Sequence, residues 1–347
     1  MSVAVLRWVD PPAGPAIELL DQTRLPAAEV VVTCTDVPSL IEAIRRLAVR
    51  GAPLLGIAAA YGVALAAARG DDVAAAAEAI SAARPTAVNL GRGARLALDA
   101  CLRAQPDGAC WPVGLRASEA ALRQARAIAE ADRLACEVMA RHGLELVPDQ
   151  ARILTHCNTG ALVTAGEGTA FGLVRAAHRA GKLAMLWVDE TRPLLQGARL
   201  TAWEASRAGI PHRVLADSAA ASLMAAGQVD LIAVGADRIA ADGSVANKVG
   251  TYSLAVLARH HAVPFVVVAP MSTVDFATPD GGSIVIEERP PEEVTELAGQ
   301  PVAPRGSGAY NPAFDVTPAG LISAIVTERG VVHPVTPGNL RVLGADA

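Results

Sequence analysis

The feature that most constrains the fold is an alternation of short apolar runs with helical segments, which occupies the chain from Arg152 onward. The helical segments span about 169–180, 200–208, 218–226 and 248–261, and they separate apolar runs at 152–155, 184–188, 213–216, 231–234 and 265–269. Short apolar runs that alternate with helices are typical of βα units with a parallel sheet. The pattern therefore predicts a Rossmann-like α/β domain with a mostly parallel sheet.

The part of the chain before this alternation has a different pattern. It begins with one or two candidate strands near 3–8 and 17–20, and helical periodicity then dominates, with helices predicted from about 36 to 51, after 53 and from 118 to 141. A chain of 347 residues is long enough for two domains. We expect a small, mainly helical N-terminal domain at residues 1–142 and a Rossmann-like catalytic domain at residues 143–347.

Composition and charge argue against several classes of function. The net charge of -5 and the aromatic content of 3% disfavour a nucleic-acid partner. The five cysteines include no CxxC pair, and their odd number suggests neither a zinc site nor a disulfide framework. The N-terminus carries Arg7 and Asp10 and does not read as a secretory signal, so we expect a cytoplasmic protein.

One uncharged stretch, 51–68, is long enough to raise the question of a membrane span. It contains Pro53 and is dominated by alanine and glycine rather than leucine and isoleucine. We interpret it as a tightly packed helix and expect no membrane partner.

Polar residues follow the predicted strands at the points where ligands bind in parallel sheets, just beyond the carboxyl ends of the strands. A thiol and several carboxylates are therefore expected at one edge, in a cleft. The residues are His156, Cys157, Asn158, Thr159 and Gly160 after the first run, Asp189 and Glu190 after the second, Asp217 after the third and Asp237 after the fourth.

Each of these signals has a structural alternative when it is taken alone. Cys157 could act as a thiolate at the sheet edge or serve as a small buried hydrophobic residue. Asp237 has apolar neighbours that could raise its pKa and keep it available as an acid, or it could bond to loop amides. Asn247 and Lys248 precede a helical run whose free amides could help to hold a phosphate, although most lysines are solvated.

Two glycine-containing segments leave similar alternatives. Arg50 and Gly51 could present a guanidinium and backbone amides to a phosphate, or Gly51 could be a helix C-cap. The segment from Gly166 to Gly168 would need its third dinucleotide-binding glycine at Phe171, so we predict no NAD and no other cofactor. The segment from Arg84 to Leu90 could be a plain turn into a helix.

Together, these segments resemble the methylthioribose-1-phosphate isomerase family over nearly the whole chain. The matching segments, in the order in which that family has them, are LDQTRLP from Leu20, RGAPLLGIAAAYG from Arg50, RPTAVNL from Arg84, THCNTG from Thr155, DETRP from Asp189, GARLTA from Gly197, VGADRI from Val234, NKVGT from Asn247 and NPAFDVTP from Asn311.

This resemblance implies a fold, an activity and a set of site residues. It implies a homodimer of two-domain subunits that isomerises a small sugar phosphate in methionine salvage without a metal. Cys157 and Asp237 match the catalytic pair of the family. The positions that match its substrate-binding residues are Arg50, Gly51, Ala52, Arg84, Gln196, Asn247 and Lys248.

The resemblance leaves alternatives open at one segment and in one related class. Gly91, Arg92 and Gly93 stand where bulky aromatic residues are expected in the family, so 5-deoxyribose 1-phosphate or ribose 1,5-bisphosphate could be the preferred substrate. Regulatory subunits of the translation initiation exchange factor share the fold and are binding proteins. The presence of Cys157 and Asp237 together with the segment at Arg50 favours the enzyme.

Overall fold

The computed structural model describes residues 4–84, 87–105 and 114–344, and the chain forms two compact units. The first unit comprises the described residues up to Glu137 together with Gly160–Gly168. The second comprises Val138–Thr159 and the described residues from Thr169 onward. Cys110, Pro85 and Thr86, which belong to the sequence patterns above, lie outside the described residues.

The first unit contains a small antiparallel sheet and five helices among its described residues. The strands pair in the order β1-β2-β3. The elements are β1 (Leu6–Val9), β2 (Ala16–Leu20), β3 (Val31–Cys34), α1 (Val37–Arg45), α2 (Ala52–Arg69), α3 (Val73–Ser81), α4 (Val88–Arg103) and α5 (Leu115–Leu144), and the last residues of α5 belong to the second unit.

Two predicted helix boundaries in this unit were wrong. Helix α1 is capped by Asp36, whose side chain accepts from the Ser39 amide, but it ends at Arg45 instead of continuing to Gly51. Leu47 has a positive φ of 64°, which no α-helix tolerates in its interior. Helix α5 begins at Leu115, three residues before the predicted cap at Ser118.

Helix α2 is the centre of the first unit. It is long and apolar enough to cross a membrane, but most of it is buried inside the protein, as the sequence predicted for a packed core helix. Alanine and glycine allow its neighbours to approach closely. A Cβ atom built on Gly93 of α4 would lie 2.0 Å from the carbonyl oxygen of Gly56 in α2, so this crossing requires glycine at residue 93.

The second unit contains the βα alternation. Its strands are β4 (Ala151–Thr155), β5 (Leu183–Asp189), β6 (His212–Leu215), β7 (Leu231–Val234), β8 (Arg238–Ala240), β9 (Val245–Lys248), β10 (Phe265–Val268), β11 (Val274–Asp275), β12 (Glu296–Leu297), β13 (Gln300–Pro301), β14 (Phe314–Thr317), β15 (Ala324–Thr327) and β16 (Gly330–Val332). Its helices are α6 (Ala170–Arg179), α7 (Ala202–Arg207), α8 (Ala220–Ala225), α9 (Thr251–His260), α10 (Glu292–Thr295) and α11 (Pro337–Gly344).

The main sheet has seven strands in the order β16-β15-β10-β7-β4-β5-β6. All neighbouring strands are parallel except β15 and β16. The five strands predicted from apolar runs form its parallel core, so the predicted mixed α/β fold with a mostly parallel sheet is confirmed. The β15–β16 pair was not predicted, and neither was a smaller sheet with the order β11-β8-β9-β14.

Candidate active site

The segment after β4 carries Cys157 in an unusual backbone conformation. The thiol-bearing residue is only 6% exposed and has a φ of 61°, in the left-handed region. A left-handed non-glycine residue costs of order 1–3 kcal/mol and persists only where its surroundings hold it. Two side chains do so, because the Cys157 amide donates to Thr191 Oγ1 at 2.8 Å and Thr201 Oγ1 donates to the Cys157 carbonyl at 2.6 Å.

The loop after β5 forms one side of this arrangement. Asp217 accepts backbone hydrogen bonds from Thr191 at 2.8 Å and from Arg192 at 2.7 Å. The Thr191 hydroxyl in turn donates to the Asp189 carbonyl at 3.0 Å. Asp217, which the sequence analysis included among the residues at strand ends, therefore fixes the loop that contacts the Cys157 backbone.

Asn158 and Glu204 form a buried polar contact beside Cys157. Asn158 Nδ2 donates to Glu204 Oε2 at 2.6 Å and also lies 3.3 Å from Thr201 Oγ1. Glu204 lies on α7 and is buried. The sequence analysis missed Glu204, and the only available signal was a single acidic residue within the predicted helix at 200–208.

Asp237 lies just after β7, which pairs with β4 in parallel register from Ile153 opposite Leu231. The Thr155 hydroxyl donates to the Ala233 carbonyl at 2.8 Å and fixes the two strand ends to each other. Asp237 is half-buried, and its amide donates to the Ala246 carbonyl at 2.9 Å. Cys157 and Asp237 thus follow the carboxyl ends of adjacent parallel strands.

Asn247 and Lys248 end β9, and both are buried. Lys248 Nζ donates to the Ala313 carbonyl at 2.6 Å, and Asn247 Nδ2 donates to Thr251 Oγ1 at 2.9 Å. Burial of a lysine is rare without a compensating partner, so the interpretation of Lys248 as an ordinary solvated lysine was wrong.

Two of the amides at the start of helix α9, which could have helped to hold a phosphate, already have a partner. Gly250 and Tyr252 donate their amides to the Asp315 carboxylate at 2.7 and 3.0 Å. Burial raises the pKa of Asp315, and these hydrogen bonds offset that effect only in part. A phosphate near Lys248 could therefore not bind to these two amides while they contact Asp315.

Gln196 lies immediately before a π-helix at Gly197–Thr201. Its side chain is 3% exposed, and the Oε1 atom has no hydrogen-bond partner within the described part of the chain. A buried amide oxygen without a hydrogen-bond partner costs folding free energy. Such groups in native proteins commonly accept a hydrogen bond from a ligand or a water molecule. The position is suited to contact a polar ligand.

The other predicted substrate-binding residues, Arg50, Gly51, Ala52 and Arg84, belong to the first unit. Arg50 is buried, with 9% of its surface exposed, and Arg84 is half-buried. Gly51 has a φ of 91° and precedes α2, so it is an N-cap of that helix and the C-cap alternative was wrong. A Cβ atom built on Gly51 would lie 2.3 Å from Val163 Cβ, which explains why this position is occupied by glycine.

His156, Asp189 and Asp217 each offer one potential ligand atom, and these atoms lie within 4.8 Å of one another. A metal ion could be considered there, but both ring nitrogens of His156 already have partners in the protein. His156 Nδ1 lies 3.1 Å from Asp189 Oδ2, and His156 Nε2 lies 2.9 Å from the Val249 carbonyl. A buried histidine–carboxylate pair accounts for this geometry.

Comparisons with known proteins find similar sequences over nearly the whole chain. The model of the Initiation factor 2 subunit family matches residues 48–334. Methylthioribose-1-phosphate isomerase from Pelotomaculum thermopropionicum is 54% identical over 345 residues, which cover 97% of this chain and 93% of that protein. The protein of the same name from an Anaeromyxobacter species is 52% identical over 326 residues, with 93% of each chain covered.

Solved structures are also similar to this chain over nearly its whole length. The crystal structure of 5-methylthioribose 1-phosphate isomerase from Pyrococcus horikoshii superposes with a TM-score of 0.89 at 40% identity, covering 100% of this chain and 97% of that one. The structure of translation initiation factor eIF-2B, subunit delta, from A. fulgidus has a TM-score of 0.82 at 41% identity, covering 98% of this chain and 100% of that one.

Proposed function

The chain belongs to the methylthioribose-1-phosphate isomerase family, and on that premise we propose that it converts 5-methylthioribose 1-phosphate into 5-methylthioribulose 1-phosphate. One observation carries the site assignment within this proposal. The backbone of Cys157 is held in a strained conformation at the end of β4, and Asp237 follows the adjacent parallel strand β7. Strained residues at the carboxyl edge of such a sheet are typical of functional sites.

The substrate explains why an acid is needed. Its C1 atom carries a phosphate, so the ring cannot open through loss of an anomeric hydroxyl proton. Protonation of the ring oxygen supplies an alternative route, and we assign that proton to Asp237 as a general acid.

The hydrogen transfer is assigned to Cys157. In the isomerisation the C2–H bond breaks and a C1–H bond forms, so C2 is oxidised to the ketone while C1 is reduced. The ring oxygen gains one proton and the C2 hydroxyl releases one. The reaction is therefore balanced without an external oxidant or reductant, whether the hydrogen moves as a proton or as a hydride.

The phosphate requires positive charge and hydrogen-bond donors. We propose that Lys248, Arg50 and Arg84 supply the charge, while Gly51, Ala52, Asn247 and Gln196 complete the substrate contacts. Lys248 and Arg50 are buried, where electrostatic interactions are stronger than in water. The unpartnered Oε1 atom of Gln196 can accept a hydrogen bond from a sugar hydroxyl.

Turnover of defined sugars tests the proposal. Chelator-treated protein would be incubated with 5-methylthioribose 1-phosphate, 5-deoxyribose 1-phosphate and ribose 1,5-bisphosphate, and ketose formation followed by NMR. We expect fastest conversion of the methylthio sugar. Faster conversion of another sugar would reassign the substrate, and conversion of none would favour a regulatory binding protein like the eIF-2B subunits.

We also propose that the protein is a homodimer in the cytoplasm and contributes to methionine salvage. The proposal rests on the family membership. Light scattering of the purified protein should give about twice the mass of the 35.5 kDa chain. The monomer mass, or stable association into a larger heteromeric complex, would contradict the homodimer.

A further inference from the structure

The side chain of His156 connects three segments of the second unit. It follows β4, is 1% exposed and precedes Cys157 in the chain. Its Nδ1 atom lies 3.1 Å from Asp189 Oδ2 at the end of β5, and its Nε2 atom lies 2.9 Å from the carbonyl of Val249, which follows β9. The ring therefore bridges the Cys157 segment to the strand end that carries Lys248.

Both partners of the ring are acceptors. A carbonyl oxygen can only accept a hydrogen bond, and an ionised carboxylate can do no more. With Asp189 ionised, a neutral imidazole could satisfy only one of these contacts, because it carries one N–H. The imidazolium carries two, and it satisfies both contacts at once.

The charges that act on His156 favour the protonated, positively charged ring. Burial alone would lower the pKa of His156, but the hydrogen bond and charge of Asp189, the charge of Asp217 and the Val249 carbonyl together raise it. On β14, burial raises the pKa of Asp315, and the charges of His156 and Lys248 lower it. Burial raises the pKa of Asp189, as do the charges of Asp217 and Glu190, whereas the hydrogen bond and charge of His156 lower it.

The neighbouring backbone is shaped around the ring. Gly250 has a φ of 107°, and a Cβ atom built there would lie 2.8 Å from His156 Cε1. Only glycine allows the turn after Val249 to approach the imidazole this closely. This turn follows Lys248 directly and begins helix α9, so the ring position and the Lys248 position depend on each other.

We infer that His156 is a positioning residue that works as an imidazolium and holds the Cys157 segment and the Lys248 strand end in register. The inference rests on the proposed function for its catalytic consequence. Misplacement of reacting groups by about 1 Å can cost about 100-fold in rate, so loss of this bridge should affect turnover strongly.

The charge state can be tested without turnover. In wild-type protein labelled with ¹⁵N-histidine, we expect both His156 ring nitrogens to carry hydrogens at pH 7.5, with the signals assigned by their absence in H156Q. A nitrogen signal typical of an unprotonated imidazole at that pH would overturn the imidazolium. Because no substrate is present, this result is independent of whether the isomerase activity is found.

Kinetics test the positioning role. H156N keeps a donor near the Nδ1 position and H156Q keeps one near Nε2, but neither can carry charge. We expect each folded variant to lose about 10- to 100-fold in kcat and also to show a raised KM. The control H260Q replaces an exposed histidine and should retain wild-type values. Wild-type kcat in both His156 variants would overturn the role while leaving the proposed isomerase intact.

The Asp189→Asn variant tests whether His156 depends on the charge of the residue 189 side chain and not only on its size. It keeps the size of the side chain but removes the negative charge that stabilises the imidazolium, so the pKa of His156 should fall. We expect kcat of D189N to decrease as the pH rises from 6 to 8, over a range in which the wild type is constant. A D189N profile identical to that of the wild type would overturn the inference.

Discussion

The hydroxyl of Thr201 donates a 2.6 Å hydrogen bond to the carbonyl oxygen of Cys157, while the Cys157 amide donates to Thr191 from the other side. Both polar groups of the Cys157 backbone are therefore bound by side chains of the segment after β5. A positive φ is maintained here by specific partners, which is expected where a strained conformation serves function.

Replacement of Cys157 by alanine should remove the hydrogen-transfer group without disturbing these backbone contacts. We expect kcat to fall by about 10²- to 10⁴-fold, with a small change in KM. Steady-state kinetics on 5-methylthioribose 1-phosphate measure both values. Cys101→Ala removes another buried thiol and should keep wild-type kcat. Near-normal turnover in C157A would refute the assigned role.

The Asp237→Asn variant should remove the proton donor for ring opening but retain the size of the side chain. Its kcat should fall by about 10²- to 10⁴-fold, and substrate binding measured by calorimetry should persist. Asp149→Asn is the control, because the Asp149 side chain is 90% exposed. If D237N and D149N turn over equally fast, Asp237 is not the acid.

The strands of the main sheet were predictable because their signal is local. Apolar runs such as Leu231–Val234 are buried on both faces of the sheet and stand between helical segments. Strand β9 was missed because it has only four residues, two of them polar, and one of its two partners, β14, lies far away in the chain, with Lys248 opposite Phe314. Without that pairing, Asn247 and Lys248 look like the start of a helix.

The residues of the candidate site were likewise predictable only in part. Residues that follow strands, such as Cys157 and Asp237, could be selected from sequence because the topology of parallel sheets places them at one edge. The partners that give them their properties could not. Glu204 beside Asn158, and Val249 beside His156, are contacts between distant parts of the chain that no local pattern encodes.

Lysine at residue 248 should contribute to phosphate binding. The chain has only two lysines, Lys182 and Lys248, which makes a matched comparison possible. We expect K248M to reduce kcat/KM by about 10- to 100-fold, because a charge-assisted hydrogen bond is worth about 1.5–3 kcal/mol. K182M should leave kcat/KM unchanged, since Lys182 bonds to the Val147 carbonyl near the end of α5. Equal kcat/KM in the two variants would argue against the phosphate role.

The pair of Arg152 and Asp230 should make stability depend on acid pH. The hydrogen bonds from the Arg152 side chain are the main cause that lowers the pKa of Asp230, so the ionised form stabilises the fold. This contribution is present above the unfolded pKa of about 3.9 and is lost as the pH falls through the lower folded pKa. Because folding lowers the pKa of Asp230, we expect D230N to be less stable than the wild type at pH 7 by about 1 kcal/mol.

Urea unfolding of the wild type and D230N at pH 7 and pH 3.5 measures this difference. We expect the gap between the two proteins to narrow at the lower pH. A gap that is constant or wider at pH 3.5 would show that the ionised Asp230 does not supply the stability. The exposed substitution D149N should show little difference from the wild type at either pH.

Glycine at residue 93 should be required for the crossing of α2 and α4, which offers a physical reason for its presence that does not involve the substrate. A methyl group there would lie 2.0 Å from the Gly56 carbonyl oxygen, so the helices must separate. Overpacking of this kind costs about 1–3 kcal/mol, and we expect G93A to unfold at correspondingly lower urea concentration.

Gly91 lies on the same helix, but a Cβ atom there would be 3.8 Å from Ser81 Oγ, so G91A should be as stable as the wild type or slightly more stable. Equal stability of G93A and G91A would show that the crossing of the two helices tolerates a side chain at residue 93.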